Sequence, residues 1–293
     1  LAAKGPALWK ALRPNHWIKN VFVFAALVFA QQLDDPEAIA RSAAAFVVFC
    51  LLSSAVYLLN DILDREADRA HPVKRERPIA SGRVSVATAG TLSVILAASG
   101  LAGAMALGTG FATVASAYIF MNIAYSLRLK RIVILDVMLV AAGFLLRAWG
   151  GAVVLQVEMS HWLILCTGLI ALFLGFVKRR QEIAGAAPNE TTRPILREYS
   201  LPFLDQMIAI VTSSTLLAYA LYVFSHEVAE KLGTRYMGLT LPFVLFGIFR
   251  YLYLVHQRGK GESPTDVVVR DGPLVATFLL WGLACLVALY VLR

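Results

Sequence analysis

Charge is scarce in this chain: Asp, Glu, Lys and Arg make up 16% of its 293 residues, and hydrophobic residues make up 59%. A soluble globular domain carries about 25% charged and about 45–50% apolar residues. The shortage excludes an ordinary soluble enzyme and a disordered chain. It also excludes a nucleic-acid partner, even though a net charge of +8 would suggest one in a soluble protein. Cysteine is nearly absent. Cys50, Cys166 and Cys285 each lie inside an apolar run without metal-ligand spacing, so they read as packing residues, not as a disulfide or zinc framework. No HExxH, GxSxG, GxGxxG or GxxxxGK[ST] motif occurs. The first twenty residues lack the small-residue cleavage site of a signal peptide. Leu1 is not an initiator methionine, so a trimmed chain is expected.

Long apolar runs are what the chain has instead, with a mean hydropathy of +0.69. Crossing ~30 Å of hydrocarbon takes about 20 helical residues. Such segments recur at 17–31, 39–60, 86–106, 110–127, 133–155, 161–177, 206–225, 237–256 and 273–291. The expectation is an all-α polytopic membrane protein, with nine transmembrane helices in a single catalytic domain over 1–293. A single helix over 86–127 would run ~60 Å, twice the hydrocarbon, so Gly108-Thr109-Gly110 is expected to turn a hairpin. Trp17 and Lys19 suit an interfacial anchor at the first span, with His16 as a hydrogen bonder there and not a base.

Basic residues set the orientation. With the N-terminus inside, 22 Lys and Arg fall in 1–19, 61–85, 128–132, 178–205 and 250–270, and only Arg41, Lys231, Arg235 and Arg293 fall on the other side. That asymmetry puts the N-terminus in the cytoplasm and the C-terminus outside. The outer loops are short, so the chemistry is expected at the cytoplasmic face of the plasma membrane. Anionic phospholipids and phosphorylated substrates are the partners that the positive charge suits.

At the end of the second span stands Asn60-Asp61-Ile62-Leu63-Asp64-Arg65-Glu66-Ala67-Asp68. Asp61, Asp64 and Asp68 are spaced three and then four, which puts them within about 60° of arc on a helix, with Asn60 beside them and Glu66 nearly opposite. Three like charges on one face repel unless a cation lies between them, and hard oxygen ligands suit Mg²⁺ with substrate phosphates. His71, Lys74, Arg75, Arg77 and Arg83 follow at once. An acidic face beside a basic loop fits a magnesium–phosphate complex better than a solvated helix end does.

Further basic residues gather on the same expected side. Tyr125-Ser126-Leu127-Arg128-Leu129-Lys130-Arg131 closes the fourth span, with Lys130 its functional candidate. Asp136, Gly143, Arg147 and Gly150 form one stripe of the fifth. Asp136 and Arg147 lie about 16 Å apart along the axis and cannot pair. A phosphate contact or a structural ion pair would each explain an arginine inside a span. Lys178 can pair with Glu182 at four residues' spacing. Arg193 and Tyr199 suit phosphate or sugar contacts. The loop with Gly259 and Gly261 covers the site or merely connects, and it adds Asp266, Arg270 and Asp271 as weaker candidates.

The motif NDxxDxxxD at 60–68 resembles the first aspartate-rich motif of the UbiA-type intramembrane prenyltransferases, and Tyr125 to Lys130 resembles their YxxxxK element. The resemblance implies a nine-helix bundle with a magnesium-dependent site open to the cytoplasm, Mn²⁺ being a substitute. LRPNHWIKNVFVFAALVFA, YLLNDILDREADRAHPVKRERPIASG, YSLRLKRIVILDVMLVAAGFLLRAWGG and GFVKRRQE are most similar to one branch. That branch moves 5-phosphoribose from phosphoribosyl pyrophosphate to decaprenyl phosphate for cell-wall arabinan. By resemblance Asp61, Asp64 and Asp68 are catalytic and metal-site residues, with Asn60 beside them. Lys19, Lys74, Arg77, Tyr125, Lys130, Arg147, Lys178, Arg179, Arg193 and Tyr199 are the substrate-binding set.

One departure separates this chain from the aromatic prenyltransferases. Where many of them carry a second DxxxD after the sixth span, it reads Lys178-Arg179-Arg180-Gln181-Glu182. Basic residues there favour a site that gathers two phosphorylated substrates. Transfer from a prenyl diphosphate to an aromatic or haem acceptor stays as the alternative, and a lipid transporter as another, though no internal repeat supports it. A purely structural membrane protein would not need such one-sided charge. A homo-oligomer is compatible with all of these.

Overall fold

A backbone in hydrocarbon must satisfy its N–H and C=O groups within its own segment, so the apolar runs coil into helices. The computed structural model describes residues 4–185, 194–257, 267 and 270–292, with no strand among them. Eight helical segments there are long and apolar enough to cross a membrane: Pro36–Leu63, Val86–Leu107, Thr109–Leu127, Leu135–Val154, His161–Ala184, Leu201–Phe224, Tyr236–Gln257 and Gly272–Tyr290.

The segment expected as the first span takes another form. Pro14–Phe24 is a 3₁₀ helix, followed by the short α2 (Ala25–Phe29). At about 2.0 Å per residue a 3₁₀ helix reaches further than an α-helix of equal length. Asn20 and Val23 are fully buried and hold it in place.

The chain forms two compact units. The first holds residues 4–27 and 32–159, with 194–195. It contains α1 (Lys4–Leu12), the 3₁₀ segment, α3 (Pro36–Leu63), α4 (Arg65–Ala70), α5 (Val86–Leu107), α6 (Thr109–Leu127) and α7 (Leu135–Val154). Asp35 caps α3 by accepting from the Glu37 N–H at 2.9 Å, and Pro36 opens its first turn. Ser85 caps α5 through Thr88 N–H at 3.0 Å. Each such cap is worth about 1 kcal/mol. The hairpin between α5 and α6 turns at Gly108, whose φ of +124 suits only glycine. At the core Phe49 meets Phe111 and Tyr118 edge-on, with centroids 5.8 and 5.3 Å apart.

The fifth span's glycines do permit close approach, and the tightest point is one residue beyond the stripe. A Cβ on Gly150 would lie 2.8 Å from the Phe49 ring, but on Gly151 it would lie 2.0 Å from the Val23 carbonyl oxygen. The second clash is with backbone, which cannot swing aside. Gly151→Ala is therefore expected to destabilise the protein by about 1–3 kcal/mol. Gly90→Ala, whose Cβ would meet nothing within 4 Å, should be neutral or stabilising by up to about 1 kcal/mol. Thermal melts of the two purified variants would check this.

The second unit holds residues 28–31, 160–185 and 196–257, with 267 and 270–292. It contains α8 (His161–Ala184), α9 (Leu201–Phe224), α10 (His226–Leu232), α11 (Leu241–Gln257) and α12 (Gly272–Tyr290). Ser200, Ser225 and Asp271 accept from backbone N–H groups at the starts of α9, α10 and α12. Tyr219 anchors its interior, sharing a hydrogen bond of 2.7 Å with Thr240 and accepting from Trp281 Nε1 at 2.9 Å. As expected, the cysteines are free, with Cys50 and Cys285 buried.

Candidate active site

The aspartate motif lies in the first unit, where α3 ends. The continuous helix face expected over 60–68 is broken at Asp64 (φ −92, ψ 6), where α3 stops and α4 begins. Asp64 N–H bonds to Asn60 O at 2.9 Å on one side of the break, and Asp68 N–H bonds to Asp64 O at 2.8 Å on the other. The motif therefore keeps its spacing while it bends. Asp61 and Asp68 become buried, and the side chain of Asp64 stays 33% exposed. Glu66 turns outward, as its spacing indicates, toward Arg65 and Arg69.

Each of the three carboxylates meets a cation from a remote part of the sequence. Arg77 Nη1 donates to Asp68 Oδ2 at 2.6 Å and to Asp61 Oδ1 at 3.2 Å. Arg13 Nη2 donates to the same Asp61 oxygen at 2.5 Å. Lys130 Nζ donates to Asp64 Oδ1 at 2.6 Å. The YxxxxK element and the aspartate motif thus meet through Lys130, with Tyr125 half-buried one turn earlier.

The backbone supporting these cations is strained. Arg13 sits at φ 54, ψ 57 between α1 and the 3₁₀ segment, a left-handed conformation that is uncommon outside glycine. Its guanidinium lies 5.0 Å from the Tyr57 ring centroid. Burial lowers its pKa from the ordinary value, and Asp61 opposes that shift. Ile134, just after the Lys130 loop, has φ 69 and ψ −46. The Leu135 N–H bonds to Val133 O at 2.8 Å around it, which is a γ-turn of the rare, strained hand.

Other basic residues near the motif make local contacts. His71 Nδ1 accepts from the Val73 and Lys74 N–H groups and so turns the loop, placing Lys74 in a short 3₁₀ turn. Arg83 holds Ser81 and the Glu76 carbonyl. Lys19 Nζ lies 3.3 Å from His16 Nδ1.

The Arg147 guanidinium is bound inside the unit. Nε donates to Asn20 Oδ1 at 2.6 Å, Nη1 to Gly143 O at 2.7 Å and Nη2 to Tyr118 OH at 2.7 Å. The cation also faces the Tyr118 and Phe144 rings at 4.8 and 5.4 Å. Asn20 in turn donates to Cys50 Sγ and Ser53 Oγ on α3. Among the described residues the charge is met by neutral acceptors and aromatic faces, not by the ion pair considered from sequence.

Lys178, Arg179 and Tyr199 belong to the second unit. Lys178 lies 4.0 Å from Glu182, the pair its spacing indicates, and buried Arg179 meets the same carboxylate at 2.6 Å. Arg180 donates to Asp205 on α9 at 2.5 Å, and His256 Nε2 lies 3.3 Å from that oxygen. Tyr199 is buried and stacks on Phe203 at 6.1 Å. Arg193, Gly259, Gly261 and Asp266 lie outside the described residues.

Residues 20–266 match the family model described as the UbiA prenyltransferase family. The chain belongs to that family. Among its relatives is a protein named decaprenyl-phosphate phosphoribosyltransferase in Mycolicibacterium smegmatis, 35% identical over 94% of this chain and 89% of that one. One of the same name in Mycobacterium tuberculosis is 36% identical over 93% of this chain and 90% of that one. Of solved structures, a UbiA homologue from Archaeoglobus fulgidus bound to GPP and Mg²⁺ shares the fold, with a TM-score of 0.71 at 16% identity over 95% and 96% of the two chains.

For a UbiA-family protein the donor set suits a hard divalent cation in kind. Asp61 and Asp68 already straddle one cationic atom, Arg77 Nη1. In number the set is less ready: among the described residues no three His, Cys, Asp or Glu side chains converge as a cation nest. Arg13 is the site residue that sequence reasoning missed. No spacing rule links positions 13 and 61.

Proposed function

We propose that this chain transfers 5-phosphoribose from phosphoribosyl pyrophosphate to a polyprenyl phosphate such as decaprenyl phosphate, releasing pyrophosphate and forming a lipid-linked precursor of cell-wall arabinan. The observation that carries this reading is the end-to-end likeness to two proteins named for that transfer. The site's chemistry agrees with it, since carboxylates alternate with cations that suit phosphate oxygens.

In this reading the donor's pyrophosphate lies at the aspartate end of α3. Arg13, Arg77 and Lys130 give charge-assisted hydrogen bonds to it as charge accumulates on departure. Asp61, Asp64 and Asp68 would hold Mg²⁺ or Mn²⁺, which when bound neutralises the leaving group. The ribose C1–O bond to pyrophosphate breaks and its electron pair leaves with the pyrophosphate. An oxygen of the acceptor phosphate forms the new bond to C1 from the opposite face, so an α donor gives a β product. That oxygen is already anionic at pH 7, so no residue needs to act as a general base.

The basic-residue asymmetry supports a cytoplasmic N-terminus and a cytoplasmic site in the plasma membrane. The 3₁₀ segment and α2 together measure ~30 Å, enough for a ninth crossing. The test is a radiolabelled donor assay on purified protein with added polyprenyl phosphate. Product is expected from phosphoribosyl pyrophosphate and should require a divalent metal. Product only from a prenyl diphosphate, with an aromatic acceptor, would replace this function with the alternative.

A further inference from the structure

We infer that Arg13 and Arg77 act as resident counter-ions that exclude a free divalent cation and yield their place only when the donor's phosphates arrive. The inference rests on the proposed function and concerns the order in which that site fills.

The charges show why. Asp61, Asp64 and Asp68 carry three negative charges, and Arg13, Arg77 and Lys130 supply three positive ones at 2.5 to 3.2 Å. The cluster is balanced as it stands. A metal ion entering alone would compete with guanidiniums already held at charge-assisted distance on one oxygen of each of Asp61 and Asp68. Those groups would repel the newcomer across a short gap. Asp61 makes this acute, because both arginines converge on its single Oδ1. It is also buried, so water does little to screen the contest. The centre on which the Asp61 and Asp68 oxygens converge is itself a cation, Arg77 Nη1.

A pyrophosphate group changes the balance. It brings negative oxygens to which both guanidiniums can turn, and arginine's planar fork suits such oxygens as well as it suits carboxylates. The carboxylate oxygens are then released to the metal at the moment the phosphates need it. The strained left-handed backbone of Arg13 fits this role, since it aims the side chain back at α3 from the start of the 3₁₀ segment. Arg13 thus joins Arg77 as a residue that sets metal affinity through the donor.

The test measures Mn²⁺ binding by electron paramagnetic resonance on purified full-length protein, with Mn²⁺ alone and with Mn²⁺ plus inorganic pyrophosphate. Pyrophosphate chelates Mn²⁺ in free solution, so the variants carry the decision. Arg77→Gln and Arg13→Gln are each expected to bind Mn²⁺ alone at least about fivefold more tightly than the unaltered protein. Arg77→Lys, which keeps the charge, should bind it as weakly as the unaltered protein. If one variant fails to fold, the other decides. Unchanged or weaker binding of Mn²⁺ alone in a folded Arg→Gln variant would overturn the inference and leave the proposed function intact. Mn²⁺ binding with pyrophosphate that survives Asp61→Asn and Asp68→Asn would instead remove the metal site from the proposed function.

Discussion

Asp64→Asn should leave the protein folded and lower phosphoribosyl transfer by about 10²–10³-fold, the loss typical of removing one electrostatic contact from a transition state. The fold survives because Asp64 is one-third exposed and has one ionic partner among the described residues, Lys130 at 2.6 Å. Pairs that open to solvent contribute only about 0–1 kcal/mol. Activity falls because asparagine keeps the shape and loses the charge. It no longer orients Lys130 or offers a hard anionic oxygen. Asp61→Asn should behave differently. Asp61 is buried under two guanidiniums, so its amide would leave both partly uncompensated and lower stability as well. Measuring kcat/KM and a thermal midpoint for both variants separates the effects. Transfer by Asp64→Asn within threefold of the unaltered protein would remove that carboxylate from the site.

Arg147→Met should destabilise the protein by about 2–5 kcal/mol, through the buried guanidinium hydrogen bonds it removes. Asn20 Oδ1, Gly143 O and Tyr118 OH each receive one guanidinium hydrogen bond. Arg147→Lys should recover part of the loss, because an ammonium can satisfy some of the three but not their planar arrangement. A phosphate-binding arginine would give another result: a raised KM for the donor at an unchanged thermal midpoint. The ratio of KM change to melting shift therefore decides between the two roles. Asn20→Leu is expected to follow Arg147→Met in the melt, since it removes the acceptor for Nε and the bridge to Ser53.

That pairing also shows where sequence reasoning stops. An arginine inside an apolar run marks itself as exceptional, because an intramembrane charge is costly wherever it faces lipid. Its partners do not announce themselves. Asn20 precedes Arg147 by 127 residues, and Tyr118 is an ordinary tyrosine on another helix. The glycine stripe was legible in the same limited way: Gly143 and Gly150 marked the close-packed face, but the backbone contact falls on Gly151. The 3₁₀ form of Pro14–Phe24 was hidden because its composition matches that of an α-helical span.

The sequence alone determined the all-helical membrane character, the hairpin at Gly108, the clustering of the aspartates and the outward turn of Glu66. These depend on composition and on periodicities within one segment, which local sterics and the exclusion of water from lipid impose directly. Tertiary structure decided the rest: the bend at Asp64, the convergence of Arg13, Arg77 and Lys130 on three carboxylates, and the interior role of Arg147. The last two features bring together residues as far as 127 positions apart. Only the folded path of the chain brings such charges within hydrogen-bond distance, where their interaction is strong enough to matter.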